Sequence, residues 1–331
     1  MERFFESLSE DRPGDKWRGL FERHWEAYQR WFLSEGIKAR PPYLTSRRAL
    51  RTHMPELLPI YDRLVELAGG GDLAARFLSL YCPPPYLSGC SQAVWPGPDS
   101  LLVRNYDYHP HLLEAVILRS AWQRPVLATS DCLWGALDGI NDAGLAVSLT
   151  FGGRRVVGDG FGVPLILRYI LEFCTTTREG VEVLSRVPSH MAYNVTLLDR
   201  SGRFNTVYIG PDRPTRVLTT LVATNHQEQV EWMQHARATA TMERERFLHF
   251  RLRESDSADR LIRAFLRSPI YSTDFGRGNG TLYTAVLRPN QDSVEYLWPN
   301  GHWPQSLWRF EEGVKSIRYP YQPSTGLPLL H

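Results

Sequence analysis

The chain changes character over residues 81–90. Tyr81-Cys82-Pro83-Pro84-Pro85-Tyr86 leads through Leu87 and Ser88 into Gly89-Cys90. Three consecutive prolines cannot continue a helix, and they impose a stiff, extended approach to Gly89. Before them, residues 1–80 read as helical. LFERHWEAYQRWFLSEG and HMPELLPIYDRLVELAGGG place apolar residues three and four apart, and Gly69-Gly70-Gly71 ends the second run. After them the chain reads as strands. CSQAVW and LLVRNYDY flank PGPDS, a hairpin signal. AVILRS and PVLATS follow, and LWGALDGI and LAVSLTF flank the turn Asn141-Asp142-Ala143-Gly144.

Two helices are predicted next, over VPLILRYILEFC and TTREGVEVLSRV, the second opened by the capping-box pattern Thr176-x-x-Glu179. Strands return at YNVTLLD, FNTVYIG and RVLTTLVATN. A long helix is expected from about Glu228 to Leu252, then a second over SADRLIRAFLRS, and two closing strands over TLYTAVLRP and SVEYLWP. The block order is thus strands, two helices, strands, two helices, strands. Two antiparallel sheets packed together, with a helix pair on each outer face, satisfy it: an α+β fold in four layers, αββα, behind a helical pre-segment. The division falls at Cys90, giving a pre-segment 1–89 and a main domain 90–331.

Composition narrows the function. The 331 residues carry 38 basic and 36 acidic side chains, with no long run of one sign, so neither nucleic acid nor an anionic membrane is favoured as a partner. The N-terminus MERFFESLSEDRPGDKW lacks the apolar core of a signal peptide, and no segment approaches the ~20 apolar residues of a membrane span. Four cysteines (Cys82, Cys90, Cys132, Cys174) suggest no disulfide framework, and the natural expectation is a reduced, cytoplasmic protein. No CxxC pair or histidine-rich helix suggests zinc, and no cofactor is implied. The glycines of 152–153 and 158–162 fit no phosphate-binding pattern; they read as a flexible loop near the site.

Cys90 is the candidate nucleophile. A thiol attacks as thiolate, and its ordinary pKa of ~8.5 must fall or a base must take its proton. An α-amino group titrates at ~7.7–8.0 and can serve its own residue as that base. For Cys90 to gain one, the bond to Gly89 must be cut. The thiol would attack the Gly89 carbonyl, carry the acyl chain as a thioester, and release it to water. Glycine has no Cβ to block that attack.

The segment that follows carries a resemblance. Cys90, Arg104 fourteen residues on, and Asp107 in RNYDY resemble the N-terminal-nucleophile (Ntn) hydrolases of the choloylglycine hydrolase and isopenicillin N acyltransferase superfamily. Among these the chain is more similar to the acyltransferase-like C45 peptidase branch, in which a longer pre-segment precedes the cysteine. DGINDAGLAVSLTF, YNVTLLDRSGRF, LVATNHQ and TLYTAVLRP extend the resemblance over about residues 85–298. It implies Cys90 as nucleophile, Asp107 as acceptor for the freed α-amine, and Arg104 as the arginine beside the thiol. It also implies Asn225 as an oxyanion donor, with a late site arginine for which Arg277 is the candidate ahead of Arg288. A second oxyanion contributor is expected near Thr150 or Phe151, where no motif matches. Tyr106, Tyr108 and Phe151 are candidates for substrate contact.

The activity implied is that of a self-processing cysteine amidohydrolase or acyltransferase acting on a linear, small-molecule acyl amide through a thioester on Cys90. The amphipathic helices of 1–89 need a partner for their apolar faces, so that segment is expected to stay bound after the cut. Two alternatives stand beside this: a Cys-His hydrolase using Cys90 with His226 and no self-cleavage, and a non-enzymatic binding protein on the same fold. His190 is a further histidine, expected to be structural.

Overall fold

The computed structural model describes residues 1–320. In chain order these form β1 (Glu2–Glu10), α1 (Asp15–Phe32), α2 (Tyr43–His53), α3 (Leu58–Leu67), α4 (Asp72–Leu78), β2 (Ser91–Trp95), β3 (Leu101–Tyr108), β4 (Val116–Ser120), β5 (Val126–Asp131), β6 (Gly135–Asn141) and β7 (Leu145–Phe151). Then come α5 (Val163–Phe173), α6 (Thr177–Arg186), β8 (Tyr193–Asp199), β9 (Phe204–Ile209), β10 (Arg216–Leu218), β11 (Val222–Ala223), α7 (Met233–Ala238), α8 (Thr241–Glu254) and α9 (Ala258–Phe265). β12 (Gly280–Arg288), β13 (Ser293–Trp298), β14 (Gly301–Ser306) and β15 (Gly313–Arg318) close the chain.

The strands make two sheets. One has nine strands in the order β10-β9-β8-β7-β6-β5-β4-β1-β15, the other six in the order β11-β2-β3-β12-β13-β14. β6 and β7 meet β2, β3, β12 and β13 across the interface, α5 and α6 cover the larger sheet, and α8 and α9 cover the smaller. This is the αββα sandwich expected from the block order. β3 shows how it is built. Leu102 and Tyr106 enter the core between the sheets, while Leu101 and Val103 enter a second core under α8 and α9. Side chains alternate across a strand, so one strand serves both layers.

Four details depart from the sequence reading. Residues 2–10, read as helical, form β1. Glu2, Phe4 and Glu6 face outward and Phe5 and Ser7 inward, a period of two. RVLTTLVATN is not one strand but β10 and β11, which lie in different sheets, with Thr219–Leu221 crossing between them. The long helix starts five residues late and breaks at Ala240, held in the left-handed region at φ 47°. The capping box forms by half. Glu179 N–H donates to Thr176 Oγ1, but the Glu179 carboxylate takes its N–H from Thr175.

The glycine-rich segments are hydrogen-bonded into the fold. Gly160 O accepts Cys82 N–H and Leu80 O accepts Gly162 N–H, so residues 160–162 clamp the start of the proline linker. No helix among the described residues is long and apolar enough to cross a membrane.

The pre-segment shares its core with the rest. β1 lies between β4, parallel to it, and β15, antiparallel to it. Trp17 Nε1 donates to Leu133 O, and Trp134 Nε1 donates to Leu78 O. Phe5, Trp17, Leu64 and Phe77 belong to one buried cluster with Leu127, Leu149 and Tyr283. Cutting the Gly89–Cys90 bond therefore breaks one covalent link and none of these contacts. A cut chain is expected to elute on size exclusion as a single species containing both pieces, which part only in denaturant; separate elution in native buffer would show that the shared core is not what holds them.

Candidate active site

Cys90 immediately precedes β2, and the antiparallel register with β3 sets Gln92 opposite Arg104 and Ser91 opposite Asn105. Alternation along β3 then divides its polar residues. Arg104 and Tyr106 point between the sheets; Asn105 and Asp107 point toward the helices, Asn105 donating to Phe265 O and Asp107 meeting Arg244. The cysteine is buried at the junction, with a guanidinium on either side of its strand.

Between the sheets, Arg104 Nη2 lies 3.4 Å from Cys90 Sγ. Its Nη1 donates to Asp138 Oδ2 at 2.6 Å and its Nε to Leu149 O at 2.8 Å. Asp138 is itself satisfied by Thr129 Oγ1 and Tyr283 OH, each at 2.7 Å. A buried charge survives when it is paired and hydrogen-bonded, and both groups of this pair are. The guanidinium sets a positive charge beside the Cys90 sulfur. The thiol proton has an acceptor at Ser88 Oγ, 3.3 Å away.

On the helix side, α8 supplies a residue that sequence reading missed. Arg244 Nη1 donates to Cys90 O at 2.9 Å and to Ser91 Oγ at 2.7 Å, and it lies 3.5 Å from Asp107 Oδ2. Its Nη2 donates to Asn225 Oδ1 at 2.6 Å, and its Nε to Thr239 O. Asp107 Oδ1 accepts from Thr281 Oγ1 at 2.7 Å. Burial pushes the Asp107 carboxyl up to about 7, against the opposing pulls of Arg244, Thr281 and Arg104. Burial also lowers Arg244 from the ordinary guanidinium value.

Asn225 follows β11. With its amide oxygen held by Arg244, its Nδ2 donates to Ser88 O and Phe151 O, each at 3.2 Å. Gly153 fixes its backbone: at φ 69°, a Cβ there would sit 2.2 Å from Asn225 O. Gly89 is less constrained. A Cβ on it would make ordinary contacts of 3.5 Å with Thr239 and 3.6 Å with Asp107, so resting packing does not demand glycine there. Gly89, Asp107 and Arg244 line a cleft of about 1100 Å³, whose far wall includes Glu2 and Tyr319. Thus the cleft reaches the Gly89–Cys90 bond from the Asp107 side.

The other expected residues fall as follows. Tyr106 and Tyr108 stack in series, ring centroids 5.6 Å apart, and Arg104 lies 4.8 Å from the Tyr106 ring. Phe151 is buried against Tyr193 and His235 and offers the site its carbonyl, an acceptor. Thr150 Oγ1 donates to Thr224 O, so neither residue places a free donor at the thiol. Arg277 lies exposed in a one-turn helix, with no ion pair or side-chain hydrogen bond among the described residues; Arg244 is the guanidinium at Asp107 instead. Arg288 pairs with Glu295.

His226 turns from Cys90, its Nδ1 on Thr241 Oγ1 at 3.0 Å and its Nε2 on Glu245 at 3.3 Å, and His190 Nδ1 bonds Gly158 O. These contacts withdraw support from a Cys-His pair. All four cysteines are free. Burial raises the thiols of Cys82, Cys132 and Cys174, the last to about 12, which disfavours them as nucleophiles.

A cysteine heading an inner strand of an αββα sandwich, with arginine and aspartate on the next strand, defines the chain as an Ntn-hydrolase-type protein. It belongs to the acyl-coenzyme A:6-aminopenicillanic acid acyl-transferase family, whose model matches residues 95–303, well over half its length. That span begins after Cys90 and contains Arg104, Asp107, Asn225 and Arg244. This is a family of acyl-transferring enzymes. No curated relative matches the sequence.

Similar solved structures include a penicillin V acylase from Agrobacterium tumefaciens, 15% identical over 69% of this chain and 90% of that one, with a TM-score of 0.49. A Caenorhabditis elegans N-acylethanolamine-hydrolyzing acid amidase ortholog is 16% identical over 65% of this chain and 98% of that one, TM-score 0.45. A mutant conjugated bile acid hydrolase from Clostridium perfringens is 12% identical over 72% of this chain and 99% of that one, TM-score 0.43.

Arg244→Met tests the helix-side cation. Asp107 rises from 3.8 to about 7 on folding, so the stability tied to it is full below the unfolded value and is lost as pH climbs through 7. Without Arg244 the charged carboxylate has no strong partner. The variant should lose about 3 kcal/mol of unfolding free energy at pH 8 and less at pH 5, where the carboxyl is neutral. Arg277→Ala should stay within about 0.5 kcal/mol of the parent. Equal losses at both pH values would remove Asp107 as the reason Arg244 matters.

Proposed function

We propose that this chain is a self-processing cysteine amidohydrolase or acyltransferase. The observation that carries the reading is the convergence on one peptide bond. The Cys90 thiol, the Arg104 guanidinium and the Asn225 amide N–H all stand beside the Gly89–Cys90 bond, and the large cleft opens onto it.

In the first step the Cys90 sulfur bonds to the Gly89 carbonyl carbon. The carbon–nitrogen bond to Cys90 then breaks, and the departing nitrogen takes a proton to become an α-amine. Water cleaves the resulting thioester, leaving a carboxylate on Gly89 and a free thiol and amine on Cys90. Asp107 accepts a hydrogen bond from that amine and orients it. When that amine takes up a further proton, its positive charge pulls the Asp107 carboxyl back toward its ionised form.

The same groups then serve an external amide. The α-amine takes the thiol proton and later returns it to the leaving amine. Departure of the linker end removes the Ser88 carbonyl from Asn225 Nδ2, which becomes a donor for the substrate oxyanion. Water or a second amine resolves the acyl-thioester, giving hydrolysis or transfer. Substrates of this class are linear small-molecule acyl amides, and residues 1–89 remain attached as the second piece.

A panel of N-acyl amino acids, acyl-lactones and penicillins, followed by amine release, tests this. Processed protein should release amine from at least one class, and acid quenching should trap the acyl group on the piece that contains Cys90. Asn225→Ala should lower kcat by about 10²–10³ through loss of the oxyanion donor. Turnover that survives Cys90→Ala would overturn the reading. Complete inertness of processed protein across the panel would favour a binding role.

A further inference from the structure

A second cavity lies behind the tyrosine pair. Its volume is about 110 Å³, and Tyr28 and Trp31 of α1, Tyr86 of the proline linker, Tyr108, Glu114 and Asp131 form its wall. Glu114 and Asp131 are both more than nine-tenths buried. Glu114 Oε2 accepts from Tyr28 OH at 2.6 Å and from Leu133 N–H at 2.8 Å. Its other oxygen, Oε1, is buried without a partner among the described residues, as is Tyr86 OH. Among the described residues, the Asp131 carboxyl is met by Cys132 alone, through its backbone N–H and, at 3.7 Å, its Sγ.

No lysine or arginine is on this wall among the described residues. The basic groups nearest in the network are the imidazoles of His24 and His111 at the rim, Arg3 bonded to His111, and Arg104 beyond Tyr106; burial and Arg3 lower His111, favouring its neutral form. Burial, reinforced by the Glu114 charge, pushes Asp131 up to about 7. Two buried carboxyls without a matching cation are costly unless something supplies the charge.

The wall also leads to the nucleophile. Tyr86 packs edge-on against Tyr108 at 5.8 Å, Tyr108 stacks on Tyr106, and Tyr106 lies under Arg104 beside the thiol. Tyr86 stands four residues before Cys90, so a cut at Gly89 would leave it on the 1–89 piece while Tyr106 and Tyr108 stay with the thiol. Carboxylates backed by tyrosine and tryptophan faces recognise organic cations through charge and ring quadrupole together.

We propose that this cavity receives an organic ammonium group of the substrate. The inference rests on the reading of the chain as an amide-cleaving enzyme and narrows its substrates to acyl amides that carry a primary ammonium. Glu114 and Asp131 bind the cation and the tyrosines enclose its methylene groups.

Two measurements test it. The first needs no turnover: calorimetric titration of the full chain carrying Cys90→Ala with propylammonium and, as the neutral control, 1-propanol. Saturable binding of propylammonium alone is expected, weakened at least about tenfold by Glu114→Gln and by Asp131→Asn. Asp131→Asn keeps the measurement decisive if Glu114→Gln fails to fold, since the asparagine side-chain oxygen can still accept the Cys132 backbone N–H that Asp131 accepts. The second compares kcat/KM of processed enzyme for an N-acyl-1,3-diaminopropane and the matching N-acyl-3-aminopropanol. A preference of about tenfold for the diamine is expected, collapsing in Asp131→Asn.

Ammonium binding without cleavage of any amide would leave the site standing and sink the enzymatic reading. Cleavage of both amides alike, with no saturable ammonium binding or binding indifferent to both substitutions, would overturn the site and leave the enzyme.

Discussion

One guanidinium holds the helix side of the site together. Arg244 reaches the Cys90 carbonyl, the Ser91 hydroxyl, the Asn225 amide oxygen and the Asp107 carboxylate at once. It fixes where the nucleophile's strand begins, which way the asparagine amide points, and how the buried aspartate is compensated. Arg104 does the matching work on the other face, tying the thiol to Asp138 of the larger sheet. Cys90 is thus set between two buried guanidiniums of one strand-and-helix frame. Each is paired with a buried aspartate, which offsets its desolvation.

The linker has a defined place in that frame. Its start is clamped by residues 160–162, and its end is held by Gly89 N–H on Asp107 O and by Ser88 O on Asn225. The Gly89–Cys90 bond therefore lies between anchored points. Because the pre-segment contributes β1 to the larger sheet and aromatic side chains to its core, a cut here would leave the sandwich assembled. One site would serve first the chain's own peptide and then a substrate.

The β2–β3 hairpin, the α5–α6 pair and the β12–β13 pair were legible because their apolar periods and turn residues agree. Arg104, Asp107 and Asn225 came from the resemblance to the family, and the structure gathers them around Cys90. Arg244 was not legible. It sits in TMERERFLHFRLRE, among several arginines that local pattern cannot rank. Its signal is geometric: Thr241, Arg244 and Leu248 make the one buried stripe of that helix. Arg277 drew attention by lying late in the chain, which says nothing of depth. β1 was hidden because Glu2, Glu6 and Glu10, four apart, imitate a helical face while its burial follows a period of two. The split of RVLTTLVATN between two sheets is a tertiary event with no local marker.

The central claim is that the Gly89–Cys90 bond is the first substrate of this site. Intact mass of freshly purified protein, followed over time with N-terminal sequencing of the larger fragment, measures it directly. The account predicts two masses, for residues 1–89 and for a second fragment beginning at Cys90, with the Cys90→Ala chain remaining whole. A wild-type chain that stays whole under conditions where it is folded, or one cut at any other bond, would contradict it.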